Sequence, residues 1–277
     1  MYITNVLIER FDKYLYENER SRNTREKYVR DVGAFACFLS GAAVDKGVTL
    51  AYKERIAKSL AVSSVNSIIA ALNSFFKFAG HAELCIKPMR VQKRLFCDEG
   101  RELSRTEYKR LVDTARKNKN YRLSLIIETI CASGIRVSEL PYITVEAARS
   151  GGATVSLKAK SRRIIIVPML AKKLVSYANR CGIKNGPIFI TAGGRVINRS
   201  NVWRDMKALC RDAGVPAEKV FPHNLRHLFA RTFYGIEKDI AKLADILGHS
   251  SINTTRIYII TNPKEHLRLM EKMRLLC

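Results

Sequence analysis

A chain of 277 residues with 47% hydrophobic and 27% charged side chains suits one large domain or two ordinary ones with a proper core, which excludes a small module or a disordered tail. Its formal charge of +24, with an isoelectric point near 10.0, points to a polyanionic partner, nucleic acid first. There is no run of about 18 apolar residues and no dominant basic amphipathic helix, so a membrane partner is not expected.

The start, Met1-Tyr2-Ile3-Thr4-Asn5, has no cationic segment ahead of an apolar stretch, so no signal peptide is expected and the location is cytoplasmic. Cys37, Cys85, Cys97, Cys131, Cys181, Cys210 and Cys277 are odd in number and form no CxxC pair; they read as reduced thiols packed as small apolar groups.

Four helices are predicted over the first 80 or so residues. Val6, Leu7, Phe11, Tyr14 and Leu15 make one stripe. Asn23-Thr24 opens a second helix carrying Tyr28, Val32, Phe35 and Phe38-Leu39, ended by Ser40-Gly41. A third covers about Leu50 to Leu60. A fourth starts from a Ser63-Ser64 cap and runs through Val65, Ile68, Ile69, Leu72, Phe75 and Phe76 to Gly80. The pattern breaks from His81 to Glu102, with Pro88, Gly100, Arg90, Lys93 and Arg94, and resumes at Ser104-Arg105-Thr106-Glu107, a capping-box sequence. The expected division is therefore a helical domain over 1–82, a linker over 83–102 and a second domain over 103–277. Through Gly100 there are 16 Lys and Arg against 11 Asp and Glu, a net of +5, so +19 of the +24 lies beyond it.

The second domain is mixed. Leu123 to Cys131 is a nearly all-apolar helix stopped by Gly134. Thr154 to Lys160 alternates apolar and polar residues as a half-buried strand does, and Arg163 to Val167 is a second strand closed by Pro168, so Lys160 is expected at a hairpin tip. Helices follow at about 169–180, at 200–213 from a Ser200 cap, at 222–234 with Pro222 first, at 238–247 ended by Gly248, at 252–260 from a Ser251 cap, and in a tail over 264–277. The fold class is mainly α with a small antiparallel β-sheet.

Six residues carry candidate chemistry: Arg136, Lys160, His223, Arg226, His249 and Tyr258. Arginine donates two parallel hydrogen bonds to a phosphate and stays charged, and a pentavalent phosphorus needs fixed cations facing it. Four of them also have a plain reading. Arg136 pairs with Glu139 three residues on. The histidines end or cap helices, and Tyr258 joins Ile252, Thr255 and Ile259 on a buried side. His223 and His227 are spaced like a zinc pair, but Asn224 stands where HExxH needs glutamate, so no metal is assigned. A phenol with a pKa near ~10 needs a base or cations to attack at neutral pH.

Ala132-Ser133-Gly134-Ile135-Arg136-Val137-Ser138-Glu139-Leu140, Phe221-Pro222-His223-Asn224-Leu225-Arg226-His227, and Leu247-Gly248-His249 through Arg256-Ile257-Tyr258 resemble, in order, the three boxes of the tyrosine recombinases, or phage integrase family. Thr24, Tyr28, Asp31, Phe35 and Phe38-Leu39 resemble the helical core-binding domain of its Xer and integrase branches. The resemblance implies a SAM-like bundle plus a catalytic domain forming a C-shaped clamp on double-stranded DNA. It implies that Arg136 and Arg226 clamp the scissile phosphate and that Tyr258 attacks it to leave a 3′-phosphotyrosine. It further implies that His223 assists proton transfer, His249 bonds the phosphate and Lys160 protonates the leaving 5′-oxygen. Ser161 and Arg163 replace the family's usual glycine and second lysine, so Lys158 stands in reserve. A covalent phosphotyrosine conserves bond energy, so no ATP is expected, and five positive or proton-donating side chains stand in for a metal, so no metal or other cofactor is expected. The resemblance implies four protomers on two sites, the tail packing on a neighbour. A DNA-binding relative without chemistry and a type IB topoisomerase are the competing readings.

Overall fold

The computed structural model describes residues 1–90, 99–157, 160–258 and 271–273. The chain divides into two compact units, Met1–Lys93 and Arg94–Cys277.

The first unit is a bundle of α1 (Asn5–Glu17), α2 (Arg22–Leu39), α3 (Lys46–Ala57) and α4 (Val62–Phe78). Three starts differ from the sequence expectation. Helix α2 is capped by Ser21, whose hydroxyl accepts from Thr24 N. Helix α3 begins a turn early, behind Asp45, because Thr49, Tyr52 and Ile56 are its buried residues at helical spacing. Helix α4 follows Ala61 with no side-chain cap, leaving Ser63 and Ser64 within its first turn. Burial of apolar faces outweighs a cap contribution of about 1 kcal/mol. The core is aromatic: Phe11 meets Phe75 edge-on at 5.3 Å, and Phe35 meets Phe76 at 6.0 Å. The segment after α4 makes a 3₁₀ turn (Ala82–Leu84) and is then pinned to that helix. Asn73 exchanges both amide hydrogen bonds with Ile86 (2.8 and 2.9 Å), and Asn66 does the same with Met89 (2.9 and 2.7 Å), which buries Leu84 and Ile86 in this core.

In the second unit, α5 (Arg105–Lys117) starts from the Ser104–Glu107 capping box. The central helix α6 (Tyr121–Ser133) buries Leu123, Leu125, Ile126, Ile127 and Ile130 and packs on α5, α8 (Pro168–Arg180), α9 (Arg199–Ala213) and α10 (Pro222–Glu237). Gly134 ends it in the left-handed region at φ 64°. A 3₁₀ turn (Val137–Tyr142) runs through Pro141 into α7 (Val145–Ser150), a helix the sequence pattern does not announce. Then come β1 (Gly152–Leu157) and β2 (Lys160–Ile165), paired antiparallel with Leu157 opposite Lys160 and Val155 opposite Arg162. The hairpin lies earlier than expected: Lys160 opens the second strand rather than closing the first. Lys158 lies outside the described residues, as does the Lys160 side chain.

Helix α9 is capped by Asn198 rather than Ser200, its Oδ1 accepting from Asn201 N at 2.8 Å. Helix α10 starts at Pro222 and continues to Glu237. Then follow α11 (Ile240–Leu247), ended by Gly248 at φ 65°, and a short α12 (Ile252–Arg256) capped by Ser251. The expected tail helix 264–277 lies outside the described residues except for 271–273. Among the described residues no helix is long and apolar enough to cross a membrane.

Candidate active site

The site forms where the 3₁₀ turn after α6, the start of α10 and the end of α11 meet. Arg226 projects from the first turns of α10 and is 1% exposed. Its Nη1 donates to Gly134 O at 2.6 Å, and its Nη2 to Leu247 O at 2.7 Å and His249 Nε2 at 2.8 Å. The Nε–H is buried with no hydrogen-bond partner among the described residues. Burial, then the neighbouring Arg136 charge, lowers its pKa to about 10, so it stays a cation at neutral pH. The close approach behind it depends on glycine: a Cβ on Gly134 would lie 2.5 Å from Phe229 Cδ1.

Arg136 caps the 3₁₀ turn. Its backbone N–H donates to Glu139 Oε2 at 2.7 Å, its Nη1 to Oε1 at 3.1 Å, and its Nη2 reaches Gly248 O at 3.5 Å. Its side chain remains 40% exposed. Glu139 is 1% exposed. Burial alone would raise its pKa, but the Arg136 N–H, Arg162 and the Arg136 guanidinium together hold it below the usual carboxylate range.

Sequence reasoning missed Arg162. It lies on the inward face of β2 with Ile164, in line with Ile166 just past the strand, both buried. Its Nε donates to Glu139 Oε1 at 3.2 Å, its Nη2 to Oε2, and its Nη1 to Ile246 O at 2.6 Å. A guanidinium on the apolar face of a strand pattern was the available signal, since such a charge requires a buried partner.

Tyr258, just beyond α12, is 3% exposed, while Ile252, expected on the same buried side, is 48% exposed. The phenol ring is surrounded by imidazoles: centroid distances are 4.3 Å to His227, 5.5 Å to a stacked His249 and 5.6 Å to His223. Its hydroxyl lies 3.3 Å from His223 Nε2. Desolvation, then Arg226 and Arg136, lowers the His223 pKa. The same causes, Arg226 first among the charges, bring His249 to about 4. His227, which the sequence reading set aside with the zinc pair, is lowered by burial and by His223 to about 4. All three are therefore neutral near pH 7. His249 also bonds through Nδ1 to the buried Thr255 Oγ1 at 2.9 Å.

Arg136, His223, Arg226, His249 and Tyr258 thus share one neighbourhood. Lys160 is placed only by its backbone, at the adjacent hairpin end. No group of three or more His, Cys, Asp or Glu residues placed to hold a metal ion occurs among the described residues.

Residues 101–265 match the phage integrase family model, and residues 8–83 match the phage integrase N-terminal SAM-like domain. Tyrosine recombinase XerA of Pyrococcus furiosus is 28% identical over 281 residues, covering 98% of this chain and 94% of the relative. The crystal structure of XerA recombinase aligns at 26% identity with a TM-score of 0.54 over 99% of this chain and 100% of that one. A lambda integrase tetramer bound to a Holliday junction aligns at 18% identity, with a TM-score of 0.73, over 91% of this chain and 76% of that one; that likeness concerns the fold.

Proposed function

The chain belongs to the phage integrase family, and from that premise we propose that it is a site-specific tyrosine recombinase whose nucleophile is Tyr258. The observation that carries this reading is the hydroxyl of Tyr258 at 3.3 Å from His223 Nε2, beside Arg226 and His249, which arrive from separate segments of the chain.

In the proposed reaction Arg136 and Arg226 face the non-bridging oxygens of the scissile phosphate, where negative charge grows in the transition state. The unpartnered Arg226 Nε–H supports this, since a buried donor without an acceptor costs about 1–3 kcal/mol until a ligand supplies one. Neutral His223 accepts the phenolic proton as the Tyr258 oxygen attacks phosphorus. The bond from phosphorus to the 5′-oxygen breaks, a 3′-phosphotyrosine forms, and Lys160, or Lys158 in reserve, gives the 5′-oxygen its proton. His249 Nε2 accepts from Arg226 at 2.8 Å, so the part assigned to His249 at the phosphate is to hold the Arg226 guanidinium toward it. Attack by a 5′-hydroxyl of a second duplex reverses the steps and exchanges strands, with no ATP. Tyr258 is almost wholly covered, so its release is assigned to DNA binding.

Strand exchange between two duplexes takes four scissions, so four copies on two DNA sites are the proposed assembly, with the tail 264–277 on a neighbour. A DNA substrate supports a cytoplasmic location as part of the same reading. Domain limits of 1–82 and 103–277 are part of this reading, supported by the two family matches.

Nicked duplexes from the flanks of the gene are the test. A denaturant-resistant protein–DNA adduct that disappears in Tyr258→Phe is expected; a binding protein without chemistry gives none in the wild type. Recombination of two target sites, as against relaxation of any plasmid, separates the recombinase from a topoisomerase.

A further inference from the structure

Three consecutive carbonyls at the end of α11 each receive a different arginine: Ile246 O from Arg162 Nη1 at 2.6 Å, Leu247 O from Arg226 Nη2 at 2.7 Å and Gly248 O from Arg136 Nη2 at 3.5 Å. Two of these arginines belong to the proposed phosphate clamp. Arg162 does not: its side chain is 11% exposed and is occupied by Glu139 and Ile246. We propose that Arg162 is a positioning residue for DNA cleavage, keeping the Arg136 guanidinium free for phosphate and holding the end of α11 in register beneath His249.

The argument begins with Glu139. A carboxylate 1% exposed must be matched by cations and N–H donors, because an uncompensated buried charge costs several kcal/mol. It has two cationic partners, Arg162 through Nε and Nη2, and Arg136 through Nη1 at 3.1 Å. Without Arg162 the carboxylate keeps one cationic partner among the described residues, and that cation is the half-exposed arginine the phosphate needs. Arg136 is then drawn onto both carboxylate oxygens and away from Gly248 O. The same loss frees Ile246 O, one residue before the carbonyl that anchors Arg226 and three before His249.

Close packing ties the hairpin to the same helix end. A Cβ on Gly248 would meet Arg162 Cδ at 2.3 Å, so the arginine stem fills the space glycine leaves. Arg162 therefore couples β2, the 3₁₀ turn and the Ile246–Gly248 end of α11 through one side chain. The inference rests on the recombinase reading above.

The test is single-turnover cleavage of a nicked duplex at saturating DNA, with DNA affinity measured separately. R162Q is expected to cleave about tenfold to a hundredfold more slowly, the usual scale for a catalytic group displaced by about an ångström. Its affinity for the intact site is expected to stay within about threefold, the mark of a group acting after binding. R162K keeps the charge but not the fork and is expected to fall between wild type and R162Q. Adding E139Q to R162Q removes the charge that captures Arg136 and is expected to restore part of the lost rate.

A wild-type rate in R162Q, a loss confined to affinity, or a double variant no faster than R162Q would overturn the proposal. Should R162Q melt below the assay temperature, R162K carries the comparison, and a wild-type rate in it overturns the proposal. A wild-type chain that forms no adduct overturns the Tyr258 reading instead.

Discussion

Arg226 donates from Nη2 to His249 Nε2 at 2.8 Å, and because a guanidinium can only donate, that nitrogen carries no proton. Neutral His249 then holds its hydrogen on Nδ1 and gives it to Thr255 Oγ1 at 2.9 Å. Thr255→Val keeps the shape but removes the acceptor. It is expected to cost about 1–3 kcal/mol of stability, the penalty for a buried N–H left unpaired, read by urea denaturation. A variant as stable as wild type counts against this tautomer.

The same neighbourhood sets a pH dependence. His227 and His249 titrate near 4 when folded and near 6.5 when unfolded, and His223 shifts the same way. Between these values the unfolded chain binds more protons, so stability rises with pH through that window and is lost as pH falls from about 6.5 toward 4. Thermal melting across pH 4–7 should show a falling transition temperature on acidification, shallower in His227→Asn. A flat profile would contradict the buried neutral imidazoles.

Helix α9 offers a paired test of capping. Asn198→Ala is expected to lose about 1 kcal/mol, because Asn198 Oδ1 accepts from Asn201 N at 2.8 Å, whereas Ser200→Ala should be near neutral. Chemical denaturation of the two variants side by side checks the assignment, and equal losses would defeat it.

Gly248→Ala should be costly twice over. Its φ of 65° carries a penalty of about 1–2 kcal/mol for a residue with a Cβ, and that Cβ would displace the Arg162 stem. A lower melting temperature and slower adduct formation are expected together; a fall in melting temperature with an unchanged cleavage rate would separate the helix end from the chemistry.

Adduct formation is expected to persist in EDTA, since the proposed transition state is faced by arginine, lysine and histidine. Loss of cleavage that added magnesium restores would contradict that.

Much of this molecule is legible in its residues. Gly134 and Gly248 announce helix ends because only a left-handed residue continues the chain there, and Ser104 with Glu107 announces α5. Where several cap-forming residues stand in a row, as at Ser21 to Thr24 or Asn198 to Ser200, local chemistry does not choose among them, and the choice falls to whichever register buries the apolar face. The hairpin was misplaced for a related reason: Lys158-Ala159-Lys160-Ser161 has no apolar residue large enough to mark a face. The candidate arginines, histidines and tyrosine are readable by type and order. Their carbonyl partners at Ile246, Leu247 and Gly248 are not, since every residue has a carbonyl and only the fold selects which one points inward.

Arg226 has no carboxylate partner among the described residues; peptide carbonyls, an imidazole and the neighbouring Tyr258 phenol hold it in place without a counter-ion. An arriving anion therefore displaces no counter-ion there, and relieves a tension that the free protein carries in its interior. The unit housing this arginine should gain more heat resistance from DNA than its helical neighbour does.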